Sequence, residues 1–366
     1  MSEVRTTTVL VIGAGPSGLA VGAELTRNGV DFEIVDRAPE LGWSWRNHYH
    51  RLHLHTVKGL SNLPGLPFGS DVADYPSRAD IVSYLERYAD KFGLKPHLDE
   101  TVQHAEHKDS GWQIETDRHT WHADHLVIAT GYNRSPKRPT WPGLESFGGS
   151  TIHSSEYRDG KPFRGQRVLV VGSGNSGAEI AVDLWEYGAT PTMCIRGPIH
   201  VVPRETLGVS AQRIAVATQH LPTQLADRLA MPMLKRTVGD LTRFGIVRPT
   251  MGPAQMLLEQ GRVPLIDIGT IALIKQGAIG VIGALESFDA TRVTCVDGGV
   301  LELDAVVLAT GYEAAVTGFV PEVAEFLNER GYPTERTAEA RGLGLHFVGY
   351  SNPITGALRE IAIEAT

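Results

Sequence analysis

Four consecutive apolar residues, Val9 to Ile12, precede a glycine-broken turn, an amphipathic run from about Ser17 to Arg27 and a second apolar stretch, Phe32 to Val35. A short unbroken apolar run predicts a strand buried on both faces, and the switch to a helical period predicts the helix that follows it. The pattern then recurs, with a strand predicted over Arg167 to Val171, a helix over Ser176 to Tyr187 and a strand over Pro191 to Ile195. Two more apolar runs, in "HLVIATGY" (125–132) and "AVVLATGY" (305–312), each end in Ala-Thr-Gly-Tyr. The stretch 211–244 has a helical period broken by Pro222 and Pro232. It fits helices packed on the second unit, a lid, or a membrane-surface patch, with packed helices the expected form.

The turns carry the first candidate chemistry. Gly13, Gly15 and Gly18, with Pro16 and Ser17 between them, have the G-x-G-x-x-G spacing after a strand and before a helix; Gly172, Gly174 and Gly177, with Asn175 and Ser176, repeat it. The first glycine allows the tight turn, the second lets a pyrophosphate approach the backbone, and the third lets helix and strand pack closely. The helix N-terminus then offers free N–H groups and a partial positive charge. An α/β fold with two Rossmann-like dinucleotide domains is expected.

The two units end differently. The first ends at Asp36, followed by Arg37, where an acid accepts hydrogen bonds from a ribose diol; the second ends at Arg196, which suits a 2′-phosphate or simply caps a surface strand. FAD is therefore expected in the first site and NADPH in the second, since a flavin accepts a hydride and passes electrons to another substrate. Thr130 and Gly131 join the FAD set, together with Val102, and Thr310 and Gly311 join the NADPH set. The order of parts predicts a discontinuous FAD domain, 1–160 and 305–366, around an NADPH domain, 161–304, with a helical insertion at about 205–262.

Composition narrows the reading further. The 366 residues suffice for two domains, 42% of them apolar, and the net charge of −8 gives no electrostatic reason to bind nucleic acid. Cys194 and Cys295 stand far apart, which removes a C-x-x-C redox pair. No signal-like leader and no transmembrane run is evident, so a cytoplasmic protein is expected, with a homodimer left open. His48, His50, His53 and His55 fall together, yet no nearby carboxylate or thiol completes a ligand set, and no metal is expected.

Between the two units, Phe147, Gly149, His153 and Tyr157 in "FGGSTIHSSEY" match F-x-G-x-x-x-H-x-x-x-[WYF], and the chain here resembles the class B flavoprotein monooxygenases. Tyr157 in place of Trp is similar to the flavin-containing monooxygenase branch, and within it "SWRNHYHRLHLHTVKGLSNLP", "HVVPRETLG" and "PLIDIGTIALIKQGAI" resemble the YUCCA-type enzymes. The resemblance implies that NADPH reduces FAD and that O2 adds to give a C4a-(hydro)peroxyflavin, which delivers one oxygen atom to a small organic substrate. It also implies oxidative decarboxylation of an arylpyruvate such as indole-3-pyruvate, with S- or N-oxygenation, Baeyer–Villiger oxidation, or a reductase without oxygen insertion as alternatives.

The same likeness places further residues. Trp45 ends the flavin-side G-G-x-W element, whose second glycine is here Trp43. His55, ahead of Lys58 in "HTVK", takes the place of a flavin-side Asn, as candidate catalytic pocket residues; His55 either hydrogen-bonds a cofactor amide or lines the pocket. His153 and Tyr157 either act in catalysis or couple NADP⁺ binding to domain geometry, the second being expected. Lys58, Arg204 and Arg359 are the candidate cations for a substrate carboxylate. A helix beginning at Gly356 or Ala357 would turn its positive end to the flavin, and its short length suggests a missing tail.

Overall fold

The computed structural model describes residues 3–108, 111–334, 342–351 and 353–366. The chain forms two compact units, one of Met1–Arg46, Val57–Ser135 and Tyr312–Thr366, the other of Asn47–Thr56 and Pro136–Gly311.

In the first unit, β1 (Glu3–Ile12) leads through the glycine loop into α1 (Pro16–Asn28) and back to β2 (Phe32–Val35). A second helix, α2 (Arg78–Phe92), starts from a capping box between Ser77 and Asp80. An antiparallel run, β3 (Val102–Lys108), β4 (Gly111–Thr116) and β5 (His119–Ile128), completes the sheet in the order β2-β1-β5-β4-β3. β5 runs parallel to β1 over its whole length, and beside its last three residues a late strand, Leu345–Phe347, takes over from β4. Leu10 and Ile12 point into one apolar cluster, with Trp112 and Trp121, while Val9 and Val11 point into another, with Val21 of α1. Burial on both faces is what the unbroken apolar run required.

The second unit repeats the plan in an all-parallel sheet. Its strands are β6 (Ser150–His153), β7 (Arg167–Val171), β8 (Thr190–Cys194), β9 (Gly280–Ile282) and β10 (Ala305–Leu308), in the order β9-β8-β7-β10-β6. The helix α3 (Asn175–Glu186) joins β7 to β8. Val168 and Val170 pack against Ala178, Ile180 and Ala181 of α3; Leu169 and Val171 pack on the other side with Phe288 and Val293 of a small antiparallel sheet.

Two expectations change. Residues 47–56, 136–160 and β10 fall in the second unit, whereas boundaries at 160 and 305 put them with the first. β10 is hydrogen-bonded to β7 on one side and β6 on the other, and a strand held on both edges belongs to the sheet that holds it. The helical stretch is α4 (Ala211–Thr218), α5 (Thr223–Val238) and α6 (Pro253–Gln260); Pro222 separates the first two, but Pro232 lies inside an unbroken α5. Leu234 and Val238, buried beyond the proline, hold the helix together where the missing N–H would otherwise favour a break. Asp227 of α5 accepts the backbone N–H groups of Ala254 and Gln255, at 2.9 Å each, and so caps α6. Among the described residues, no helix is long and apolar enough to cross a membrane.

Candidate dinucleotide sites

The two glycine loops are built alike, residue for residue. Gly13 has φ +110°, and a Cβ there would lie 2.6 Å from the Ala129 carbonyl oxygen; a Cβ on Gly172, φ +135°, would collide with the Ala309 carbonyl. The third glycines, Gly18 and Gly177, press against the carbonyls of Gly13 and Gly172. The middle ones differ: a Cβ on Gly15 or Gly174 would meet nothing within 4 Å. Two glycines of each loop are therefore demanded by the fold, whereas the middle one faces open space in front of the helix N-terminus that the fold itself leaves unfilled. That open space, against free N–H groups, fits a pyrophosphate.

Ala129 and Ala309 are the alanines of the two Ala-Thr-Gly-Tyr turns, which explains why that sequence occurs twice. Each follows the strand beside its glycine loop, and the chain leaves each unit just beyond it, after Ser135 and after Gly311. Thr130 shares a hydrogen bond with the Tyr350 hydroxyl (2.8 Å), and Thr310 donates to the Lys137 carbonyl (2.5 Å).

In the first unit an open cleft runs past Gly13, Asp36, Arg37, Val102, Thr130 and Arg134. Asp36 accepts from the Ala14 N–H (2.5 Å) and the Ala38 N–H (2.8 Å), so it stiffens the loop while keeping lone pairs for a diol. Glu100 also lines the cleft, and no sequence motif marks it. It is buried, and its carboxylate accepts from Thr116 Oγ1 (2.8 Å), His119 Nδ1 (3.0 Å) and Trp121 Nε1 (2.8 Å). Burial raises the Glu100 pKa, but the three hydrogen bonds outweigh it and leave the group below its ordinary value. Loop, acid and cleft fit a dinucleotide with a ribose near Asp36.

Other expected residues sit elsewhere. Trp45 lies in a short helix, Trp43–Arg46, away from that cleft. Lys58 donates to the carbonyls of Gly69 (3.3 Å), Ser70 (3.4 Å) and Val72, which ties its ammonium to its own loop. His55 is not in the first unit but in the second, where its Nε2 meets Glu179 Oε1 at 2.5 Å. Of the other cations, the Arg359 guanidinium pairs with Glu360 at 2.8 Å, and Arg204 is held through its backbone N–H, which donates to the Asp267 carbonyl (3.1 Å). The C-terminal helix spans Ala357–Glu364.

In the second unit Arg196 is exposed at the end of β8, one residue past Ile195. Asn175 opens α3 and accepts from the Ile266 N–H at 2.8 Å, so its carbonyl is a structural tether. Glycine loop, open Gly174 and exposed cation fit a second dinucleotide carrying a 2′-phosphate.

The four signature residues are tethers of this unit. Phe147 packs on Phe288, and Gly149 leaves room for that ring beside the Asp304 carbonyl. His153, fully buried at the end of β6, accepts from the Ser155 N–H at Nδ1 (3.1 Å) and donates from Nε2 to the Gly311 carbonyl (3.1 Å). Burial pushes its imidazole below the usual value. Tyr157 donates to Asp183 of α3, whose carboxyl burial pushes up against that same hydrogen bond. The position suits coupling within the unit better than contact with reacting atoms.

Residues 10–212 match the family model described as pyridine nucleotide-disulphide oxidoreductase. The chain is 40% identical over 326 residues to the probable indole-3-pyruvate monooxygenase YUCCA7 of Arabidopsis thaliana, covering 86% of this chain and 76% of that protein. It is 38% identical over 350 residues to the indole-3-pyruvate monooxygenase YUCCA1 of Oryza sativa subsp. japonica, covering 93% and 86%. Its fold is similar to the solved flavin-containing monooxygenase from Stenotrophomonas maltophilia, with TM-score 0.75, 22% identity, and 99% and 97% of the two chains covered. Cys194 and Cys295 are both free and buried, and the fold brings them into one apolar cluster although they stand far apart in the sequence.

Proposed function

The chain belongs to the YUCCA-type flavin-dependent monooxygenases, NADPH- and FAD-using enzymes of two-dinucleotide fold, and on that premise we propose that it oxidatively decarboxylates an arylpyruvate. The observation that carries the substrate class is the 38–40% identity, across most of the chain, to proteins named for indole-3-pyruvate. Bound FAD, once reduced by NADPH, supplies activation of O2. The balanced reaction is arylpyruvate, O2, NADPH and a proton to arylacetate, CO2, water and NADP⁺.

The residues of this chain divide the work. Gly15 with the N-terminus of α1 receives the FAD pyrophosphate, Asp36 the ribose, and the cleft past Val102 and Thr130 the adenosine side. Gly174 with the N-terminus of α3 receives NADPH, and Arg196 its 2′-phosphate. The signature residues, His153 and Tyr157 among them, hold the second unit in shape rather than touch substrate.

Incubation of the FAD-loaded enzyme with NADPH, air and indole-3-pyruvate, phenylpyruvate or a thioether tests this. Arylacetate and CO2, one per NADPH consumed, are expected with the oxo acids. Sulfoxide from the thioether with no arylacetate from either oxo acid would replace the reading with S-oxygenation.

A further inference from the structure

Among the described residues one buried side-chain nitrogen or oxygen has no hydrogen-bond partner, and it is Nδ1 of His55. The other side of the same ring is held firmly. Nε2 lies 2.5 Å from Oε1 of Glu179, a carboxylate only 2% exposed, while the imidazole itself is 14% exposed. Glu179 sits in the second turn of α3, five residues past Gly174, on the helix whose N-terminus faces the open space of the glycine loop.

The unit satisfies buried imidazoles where structure alone is at stake. His153 has both ring nitrogens partnered, and His200 has Nε2 on the Met251 carbonyl with no orphaned atom. His55 departs from that rule beside a glycine loop. Buried polar groups are overwhelmingly paired, so an orphan in an otherwise satisfied unit points to a partner that arrives with a ligand.

We infer that Glu179 is a positioning residue that acts through His55: it takes the Nε2 hydrogen and leaves Nδ1 as a bare acceptor for one N–H or O–H donor of a ligand. A carboxylate only accepts, so the hydrogen must be on Nε2, and in a neutral ring the second nitrogen is then an acceptor. Of the ligands that arrive at the FAD-loaded enzyme, two carry such a donor, the carboxamide of the nicotinamide end of NADP(H) and the indole N–H of indole-3-pyruvate. The inference rests on the second unit being the NADPH domain.

Imidazole-¹⁵N-labelled, FAD-loaded enzyme reads the tautomer directly. The His55 Nδ1 resonance is expected at the position of an unprotonated nitrogen, and to move upfield on adding either NADP⁺ or indole-3-pyruvate, the responding arm naming the source. Adenosine 2′,5′-bisphosphate, which lacks the nicotinamide half, should bind without moving it. Glu179→Gln, which keeps an acceptor for Nε2–H, should hold the tautomer and the affinity of the responding ligand within about twofold. Glu179→Leu should release the ring and weaken that ligand about five- to tenfold, one hydrogen bond's worth, while the bisphosphate binds as before. A protonated Nδ1 in the ligand-free enzyme, a resonance that neither ligand moves, or an unchanged tautomer in Glu179→Leu would each overturn the inference. Failure of the bisphosphate to bind wild-type enzyme would instead strike the NADPH assignment itself, and this inference with it.

Discussion

Tyr157 donates its phenolic hydrogen to Asp183 Oδ2 at 2.6 Å, and the Gly160 N–H donates to the same oxygen at 2.8 Å. The last residue of the monooxygenase signature is thereby fixed to the helix that follows the second glycine loop. Burial holds the Tyr157 hydroxyl protonated far above its ordinary range, with the Asp183 carboxylate adding to the effect.

Tyr157→Phe removes one donor from a buried carboxylate. The expected loss is about 1–3 kcal/mol of stability, because the carboxylate keeps its desolvation cost. Denaturant unfolding of the holoenzyme measures it. A loss near zero, with catalysis abolished, would move Tyr157 from scaffold to chemistry.

The glycine loops predict opposite outcomes for neighbouring alanines. Gly15 and Gly174 have ordinary extended backbones, with φ −77° and −80°, and open space around them, so Gly15→Ala and Gly174→Ala should fold normally. Gly15→Ala should purify without FAD colour. Gly174→Ala should keep FAD but raise KM for NADPH about tenfold or more, equivalent to about 1.4 kcal/mol. Gly13→Ala, strained at φ +110° and pressed on Ala129, should instead lower the melting temperature or fail to fold. Equal stability of all three would refute the division.

Arg196→Ala should raise KM for NADPH far more than for NADH. Loss of charge-assisted contacts to a phosphate is worth roughly 2–4 kcal/mol, which is a factor of about thirty or more. Equal changes for both coenzymes would leave Arg196 as a surface cap.

His153 predicts an acid-side loss of stability. Its imidazole is depressed chiefly by burial, against the Gly311 carbonyl, which favours the cation; Arg138 lowers it and Glu156 raises it. The unfolded chain, near 6.5, then binds a proton more readily than the folded one, so the contribution is intact above that value and declines as pH falls below it. The slope approaches about 1.4 kcal/mol per pH unit for one proton. Unfolding curves from pH 7.5 to 5 should be flatter for His153→Gln than for wild type; parallel curves would show that His153 does not titrate between the two states.

Local pattern determined much of this protein. Both strand–loop–helix–strand units stand where their apolar runs and glycine spacings put them, with helix ends moved by one residue and the first strand begun earlier, at Glu3, because strand burial and glycine turns depend on neighbours in the chain. Asp36 and Arg196 were equally legible, as the residues that end those units.

Tertiary structure decided what depends on distant partners. Whether 305–308 joined the first or the second sheet was settled by hydrogen bonds to strands more than a hundred residues earlier. Pro232 stayed inside a helix because packing outweighed its local preference for a break. The Lys58 ammonium found carbonyls of its own loop, and Glu100, Glu179 and Asp183 gained hydrogen-bond partners that no spacing announces. A carboxylate's role is set by which donors surround it when water is removed, and that enclosure exists only once the chain has folded.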